Sequence, residues 1–189
     1  LSSSYVGAEH PGSDLTPFID RLAHAGLHFR NFHAAGRRTM YAFPALFAGV
    51  PSLMDEPVFS SAYRGNSFIG LGHTLRENGY RTAFFHGAQN GSMGLDTAAK
   101  MVGFQEYFGI PYSNDMKPCI YLRGNETVSE NVDQDQLTQT YTKEAIRFID
   151  QNKDHPFFLY LAYNAPHWPM QIPDGDPAVE KIGHDLKRQ

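Results

Sequence analysis

The sequence predicts an α/β fold with a mostly parallel sheet and helices on both faces. Three observations carry this reading. Helix-like and strand-like segments alternate along the chain, the pattern of βαβ units. Residues 156–163, PFFLYLAY, form a short continuous apolar run, as a strand buried on both faces requires. The chain has 189 residues, 41% apolar and 19% charged, enough for a single domain over residues 1–189 with a sizeable core.

The elements follow in order. Thr16-Pro17 opens a first helix, with Thr as N-cap, Pro in the first turn, Phe18, Ile19, Leu22 and Ala25 on one face, and Gly26 as the stop. Leu27–Phe32 alternates apolar and polar residues and predicts a strand. Thr39–Ala48 predicts a second helix ending at Gly49, with Pro44 inside it against the rule that proline interrupts helices. Ser67–Asn78 predicts a third, stopped by Gly79. Tyr80–His86 predicts a strand, and Asp96–Val102 a short helix closed by Gly103. Residues 109–134 are rich in Pro, Asn, Gly and Asp and predict a long loop. Asp135–Asn152 carries a stripe of Leu137, Tyr141, Ala145, Ile146, Phe148 and Ile149, the clearest helical signal in the chain. The apolar run at 156–163 supplies the last strand.

Composition excludes several classes of function. The net charge of −4 offers no basic field for a nucleic-acid or anionic-membrane partner. A single cysteine, Cys119, excludes an internal disulfide framework and a CxxC zinc site, and no base stands beside it to make a nucleophile. No run approaches the length of a transmembrane segment, and no signal peptide opens the chain, which begins with Leu rather than Met. The nine histidines stand out. His10, His24, His28, His73, His155 and His184 sit among polar neighbours and are expected to be solvated.

Ligands of a parallel sheet bind beyond the carboxyl ends of its strands. That rule selects three segments: His33–Thr39, His86–Met93 and Asn164–Pro169. Thr39 at a helix start places a hydroxyl among backbone N–H groups that favour an anion, and Arg37 or Arg38 could clamp its oxygens. His86 and His167, at strand ends, could donate to a phosphoryl oxygen or protonate a leaving group. Each residue also has a structural explanation, Thr39 as a helix cap and each histidine as a satisfied strand–loop junction.

Longer stretches carry a family resemblance. DLTPFIDRLAHAGLHFRNFHAAGRRT, FPALFAGVPSL and GYRTAFFHGAQNGSMGLDTAAKMVGFQEYFG make residues 14–107 resemble the phosphoglycerol transferases of the lipoteichoic acid synthase type. FGIPYSNDM, YLRGNETV and DQLTQTYTKEAIRFIDQNKDHPFFLYLAYNAPHWPMQIP make residues 108–175 resemble arylsulfatases. Both groups belong to the sulfatase branch of the alkaline phosphatase superfamily. The resemblance implies a divalent metal, Mn, Ca or Mg, that activates a nucleophile at a helix N-terminus. It matches Thr39 to the transferase's nucleophile and metal ligand. It places Arg38, His86, Asn90 and His167 around an anionic phosphoester or sulfate ester. It also implies a bacterial, cell-envelope parent, exported or membrane-anchored, with an extracytoplasmic catalytic domain.

Two departures shape the expectation. Sulfatases mature a Cys or Ser in C/S-x-P-x-R to formylglycine, and the matching stretch here reads Thr39-Met40-Tyr41-Ala42-Phe43. By the resemblance, the first acidic metal ligand would precede Leu1 and an Asp-His pair would follow Gln189. Asp20, Asp96 and Asp115 lack the matching context. The expectation is an α/β sheet incomplete at both ends, little turnover by the chain alone, and self-association through the edge left open. Phosphoryl transfer through Thr39 leads. Sulfate ester hydrolysis and a non-catalytic anion-binding module are the alternatives.

Overall fold

The computed structural model describes residues 6–10, 12, 15–36, 39–51, 56–87, 95–111, 113–167, 169, 171–173 and 175–176. Two compact units comprise residues 1–34 and 35–189. In the first, helix α1 (Pro17–Ala25) begins and ends where proline and glycine dictate. Thr16 stands at the N-cap, yet its hydroxyl does not cap the backbone: it donates to Asp20 Oδ1 at 3.0 Å and accepts from Gly7 N at 3.1 Å. Leu27–Phe32 forms no strand and instead bends at Arg30 and Asn31. Alternation gives a strand only where a neighbour completes its hydrogen bonds, and no ladder includes this segment among the described residues.

The second unit holds a five-stranded sheet in the order β4-β3-β2-β1-β5. Strands β1 (Arg81–His86), β2 (Glu106–Gly109) and β5 (Phe157–Ala162) are parallel, with β1 between the other two. Strands β3 (Tyr121–Arg123) and β4 (Glu126–Ser129) extend the sheet antiparallel. They correct the expectation of an unbroken loop over 109–134. Arg123 pairs with Glu126, so Gly124-Asn125 is a two-residue hairpin turn, with Gly124 at φ +60°.

Helices cover both faces. On one side, α2 (Thr39–Ala48) and α4 (Leu95–Met101) pack Phe43, Phe47, Ala98 and Ala99 against Phe84, Tyr107 and Tyr160. On the other, α5 (Leu137–Asn152) packs Tyr141, Ala145 and Phe148 against Ala83, Phe85 and Phe108. Successive side chains of a strand point to opposite faces, which is why Phe84 and Phe85 belong to different cores. Pro44 is tolerated inside α2 because packing holds that helix. The Phe43 and Phe47 rings lie 5.3 and 5.6 Å from Phe84, and Pro44 is itself buried.

Helix α3 (Leu71–Glu77) starts four residues later than the periodicity predicts. The Gly70 N–H is taken by His73 Nδ1 at 3.2 Å, which fixes the start there. A 3-10 turn at Gln134–Gln136 likewise shortens α5 at its beginning. Strand β5 is half-buried along its whole length, rather than buried on both faces, because it lies at the edge of the sheet.

Candidate functional site

Three parallel strands end at the same side of the sheet, and a cavity of about 160 Å³ opens there. Its lining comes from four segments. His86 and Gly87 follow β1, Ser113 and Asn114 follow β2, and Tyr163, Asn164 and His167 follow β5; Thr39 stands at the first position of α2. The crevice rule selected three of these four segments from sequence. Thr39, His86 and His167 meet in one cavity, as expected. Arg37, Arg38 and Asn90 lie outside the described residues.

The backbone around the cavity is tightly held. Asn164 Nδ2 donates to the Gly87 carbonyl at 3.2 Å, and His167 N donates to Asn164 O at 2.7 Å, closing the turn that carries His167. A Cβ on Gly87 would overlap the Asn164 amide, so glycine is what lets the β1 and β5 loops approach. Asn114, buried, donates through Nδ2 to Gln171 Oε1 at 2.9 Å and to Pro169 O at 3.2 Å. Its carbonyl accepts from Gln134 Nε2 at 2.6 Å and from Gln171 Nε2. The loop after β2 is thereby stapled to the chain following His167. Ser113, Asn114 and Tyr163 are the lining residues that sequence reasoning missed, whereas Asn164 lay in a selected segment. The boundary of the last strand was the available signal for Tyr163, while Ser113 and Asn114 lay in what read as featureless loop.

His86 has a defined state. Its Nδ1 lies 3.3 Å from the Ala162 carbonyl, which can only accept, so Nδ1 carries the proton and Nε2 keeps its lone pair. Desolvation lowers its pKa to about 4, against a smaller opposing effect of that hydrogen bond. At neutral pH His86 is therefore an uncharged acceptor through Nε2. In this state His86 meets a ligand as a hydrogen-bond acceptor rather than as the donor expected from sequence, and so low a pKa makes it a weak base. His167 is exposed and Thr39 is exposed, so both face solvent at the cavity mouth.

Among the described residues, the lining contains no carboxylate. Among the described residues, no group of three or more His, Cys, Asp or Glu side chains could hold a metal ion. Hard divalent cations take several carboxylate and carbonyl oxygens, and the described lining offers amide oxygens, Asn164 Oδ1 among them buried without a partner, and hydroxyls, but not the carboxylates that would complete such a site. Thr39 is the one residue of the expected metal set that the cavity holds. Cys119 is buried and its thiol is pushed up by burial, consistent with an inert core residue. No helix of the described residues is long and apolar enough to cross a membrane.

The chain is similar to known proteins. The family model described as Sulfatase matches residues 1–187. Arylsulfatase G of Mus musculus is 26% identical over 211 residues, covering 88% of this chain and 39% of that protein. N-acetylgalactosamine-6-sulfatase of Homo sapiens is 30% identical over 185 residues, covering 82% of this chain and 35% of that protein. The chain thus spans less than half the length of these relatives. The crystal structure of Ps i-CgsB in complex with k-i-k-neocarrahexaose superposes with a TM-score of 0.68 at 26% identity, covering 95% of this chain and 46% of that one.

Proposed function

This chain belongs to the sulfatase family, and on that premise we propose that its cavity binds the sulfate group of a sulfuric ester as part of a hydrolase active site. The convergence of Thr39, His86 and His167 at the carboxyl ends of β1 and β5 carries the reading. The first turn of α2 offers backbone N–H groups to an oxyanion. His167 supplies an imidazole at the mouth, able to donate to an ester oxygen or to a leaving group. His86, neutral and fixed through Nδ1, offers Nε2 as a hydrogen-bond acceptor that orients a hydroxyl in the cavity. Members of the family are generally metal-dependent, and the described lining does not form such a centre. What this chain's residues contribute is binding, orientation and proton handling. The sulfatase family model, together with the k-i-k-neocarrahexaose in the Ps i-CgsB complex, supports a sulfate ester as the substrate class.

A second reading rests on one observation. Residue 39 is threonine where the C/S-x-P-x-R motif, from which sulfatases make their formylglycine nucleophile, has its Cys or Ser. Thr39 in that place favours direct attack by a hydroxyl and transfer of a phosphoryl group, as in the phosphoglycerol transferases that residues 14–107 resemble. The binding of inorganic sulfate, followed by NMR through the His167 ring and the backbone amides beside it, with the amides alone as the readout in His167→Ala, tests the shared part. Saturation at roughly millimolar concentration, about −4 kcal/mol, is expected, weakened several-fold in His167→Ala. Sulfate that leaves His167 and the residues beside it unshifted overturns the proposal. Parallel assays on a chromogenic aryl sulfate and a chromogenic phosphodiester, with Thr39→Ala as control, separate the two ester classes.

A further inference from the structure

A second cavity, of about 560 Å³, lies at the opposite end of the sheet. It is lined by His73, Arg76 and Glu77 of α3, Tyr80 and Arg81 at the start of β1, Gln105 before β2, and His155 before β5. Arg81 opens β1 and His86 closes it, so at about 3.3 Å per residue the two cavities stand roughly 17 Å apart. A single sulfate or phosphate group cannot occupy both.

The chemistry of this cleft is specific. Two guanidinium groups line it, and neither is ion-paired to a carboxylate among the described residues. The other arginines that line the sheet, Arg123 and Arg147, are each bound to Glu106 and Glu144. Arg76 and Arg81 thus keep donors in the fork arrangement that matches a tetrahedral oxyanion. Gln105 uses its Oε1 to accept from Thr82 N at 3.0 Å, which orients the amide and leaves its Nε2 donors to the cleft. His73 uses Nδ1 to cap Gly70, so its ring orientation is also set. Glu77 adds one acceptor, which suits hydroxyls and disfavours a second negative charge. Tyr80 contributes a ring that is 37% exposed.

These groups stand on rigid backbone. Tyr80 N donates to Leu75 O at 3.0 Å, Arg81 N to Pro156 O at 2.9 Å, and His155 N to Asn152 O at 2.9 Å. The cleft therefore exists before any ligand arrives, and binding does not have to order a loop.

We propose that this cleft between α3 and the amino ends of β1 and β5 is a second binding site, for a hydroxylated ligand carrying one sulfate or phosphate monoester. Arg76 and Arg81 hold the ester oxygens, while Glu77 and Gln105 take neighbouring hydroxyls. The sulfate-binding reading of the first cavity is not needed for this assignment.

The test is residue-resolved NMR titration of the whole chain with glucose 6-sulfate and, separately, glucose 6-phosphate, with glucose as neutral control. Saturable shifts at Tyr80, Arg81, Gln105 and His155 are expected with one or both esters and not with glucose. The tighter ester identifies the anion. The double variant Arg76→Gln/Arg81→Gln should weaken that binding at least tenfold and leave any shifts at His167 unchanged. Both positions are exposed, and the single variants Arg76→Gln and Arg81→Gln, each expected to weaken binding several-fold, give the same reading with less change to the surface. Absence of saturable shifts at the cleft overturns the proposal. So does equal affinity in the arginine variants, or glucose binding as tightly as its esters.

Discussion

Acidification should destabilise this fold through His86, and the size of the effect follows from the site's geometry. In the unfolded chain the imidazole takes up a proton near its ordinary value of 6.5. In the folded protein desolvation holds that event down to about 4. Between these values the unfolded state binds more protons, so stability rises with pH there. The stabilisation is complete above 6.5 and is lost progressively as the pH falls towards 4. Each tenfold ratio of affinities is worth about 1.4 kcal/mol, so the full loss is about 3 kcal/mol. With a urea slope of about 2 kcal/mol per molar, the midpoint should drop by about 1.5 M between pH 7 and pH 4 from this group alone. Carboxylates also titrate in the lower part of that range, so the informative quantity is the difference between the native chain and His86→Gln. Glutamine retains a donor for the Ala162 carbonyl and removes the titration. The native midpoint should fall more steeply with acid than that of His86→Gln, with the divergence beginning near pH 6.5. Parallel curves would refute the argument, as would an NMR titration of the His86 ring with its midpoint at or above 6.

Three further outcomes follow from the packing. Tyr141→Phe removes the hydroxyl that accepts from the buried Ile110 N–H at 3.1 Å, and should cost about 1–3 kcal/mol in chemical denaturation without changing helix content. Gly103→Ala should cost about 3 kcal/mol or more in the same measurement, because Gly103 sits at φ +95° and a Cβ there would overlap His73 N. Glu144→Gln should cost about 1–2 kcal/mol, since it weakens a closed set of ion pairs with Arg123 at 2.8 Å and Arg147 at 2.7 Å. Desolvation works to raise the Glu144 carboxyl, but the two arginines outweigh it and hold it below the usual carboxylate range. That share of stability is present at neutral pH and lost as acid reaches the lowered value, so the native chain and Glu144→Gln should converge at low pH.

The elements read correctly from sequence are those whose stability is local or whose burial is unconditional. Helix α5 carries a long apolar stripe, β1 is buried at four of its six positions, and the final apolar run reads as a strand by its continuity even though the sheet edge leaves it half-buried. The failures have a common physical origin. Leu27–Phe32 has the right alternation for a strand, but alternation specifies only which side faces a core, not whether a neighbour exists to pair with. Strands β2 and β3 are four and three residues long, too short for periodicity to register. Their partners are Phe108 with Arg123 and Gly109 with Leu122, so the β3–β4 hairpin is docked by the strand before it rather than by its own pattern. Gly124-Asn125 between YLR and ETVS was the local sign of that hairpin, and it was masked by the surrounding turn-rich composition.

The candidate site divides along the same line. Thr39, His86 and His167 were legible because topology alone sends strand ends and a helix start to one crevice, whatever the side chains do. The protonation state of His86 was not legible, because it depends on a carbonyl 76 positions away, Ala162. That carbonyl comes into reach because β1 and β5 pair in register, His86 opposite Ala162. A one-residue slip would turn the imidazole to the opposite face of the sheet and away from the cavity. The register itself is held by the Phe84–Tyr160 stack at 5.1 Å in one core and by Phe85 and Leu161 in the other. The proton inventory of the site is therefore a consequence of aromatic packing two residues further down the strands. A substitution that loosens the Phe84–Tyr160 stack should raise the His86 pKa towards its ordinary value before it unfolds the chain.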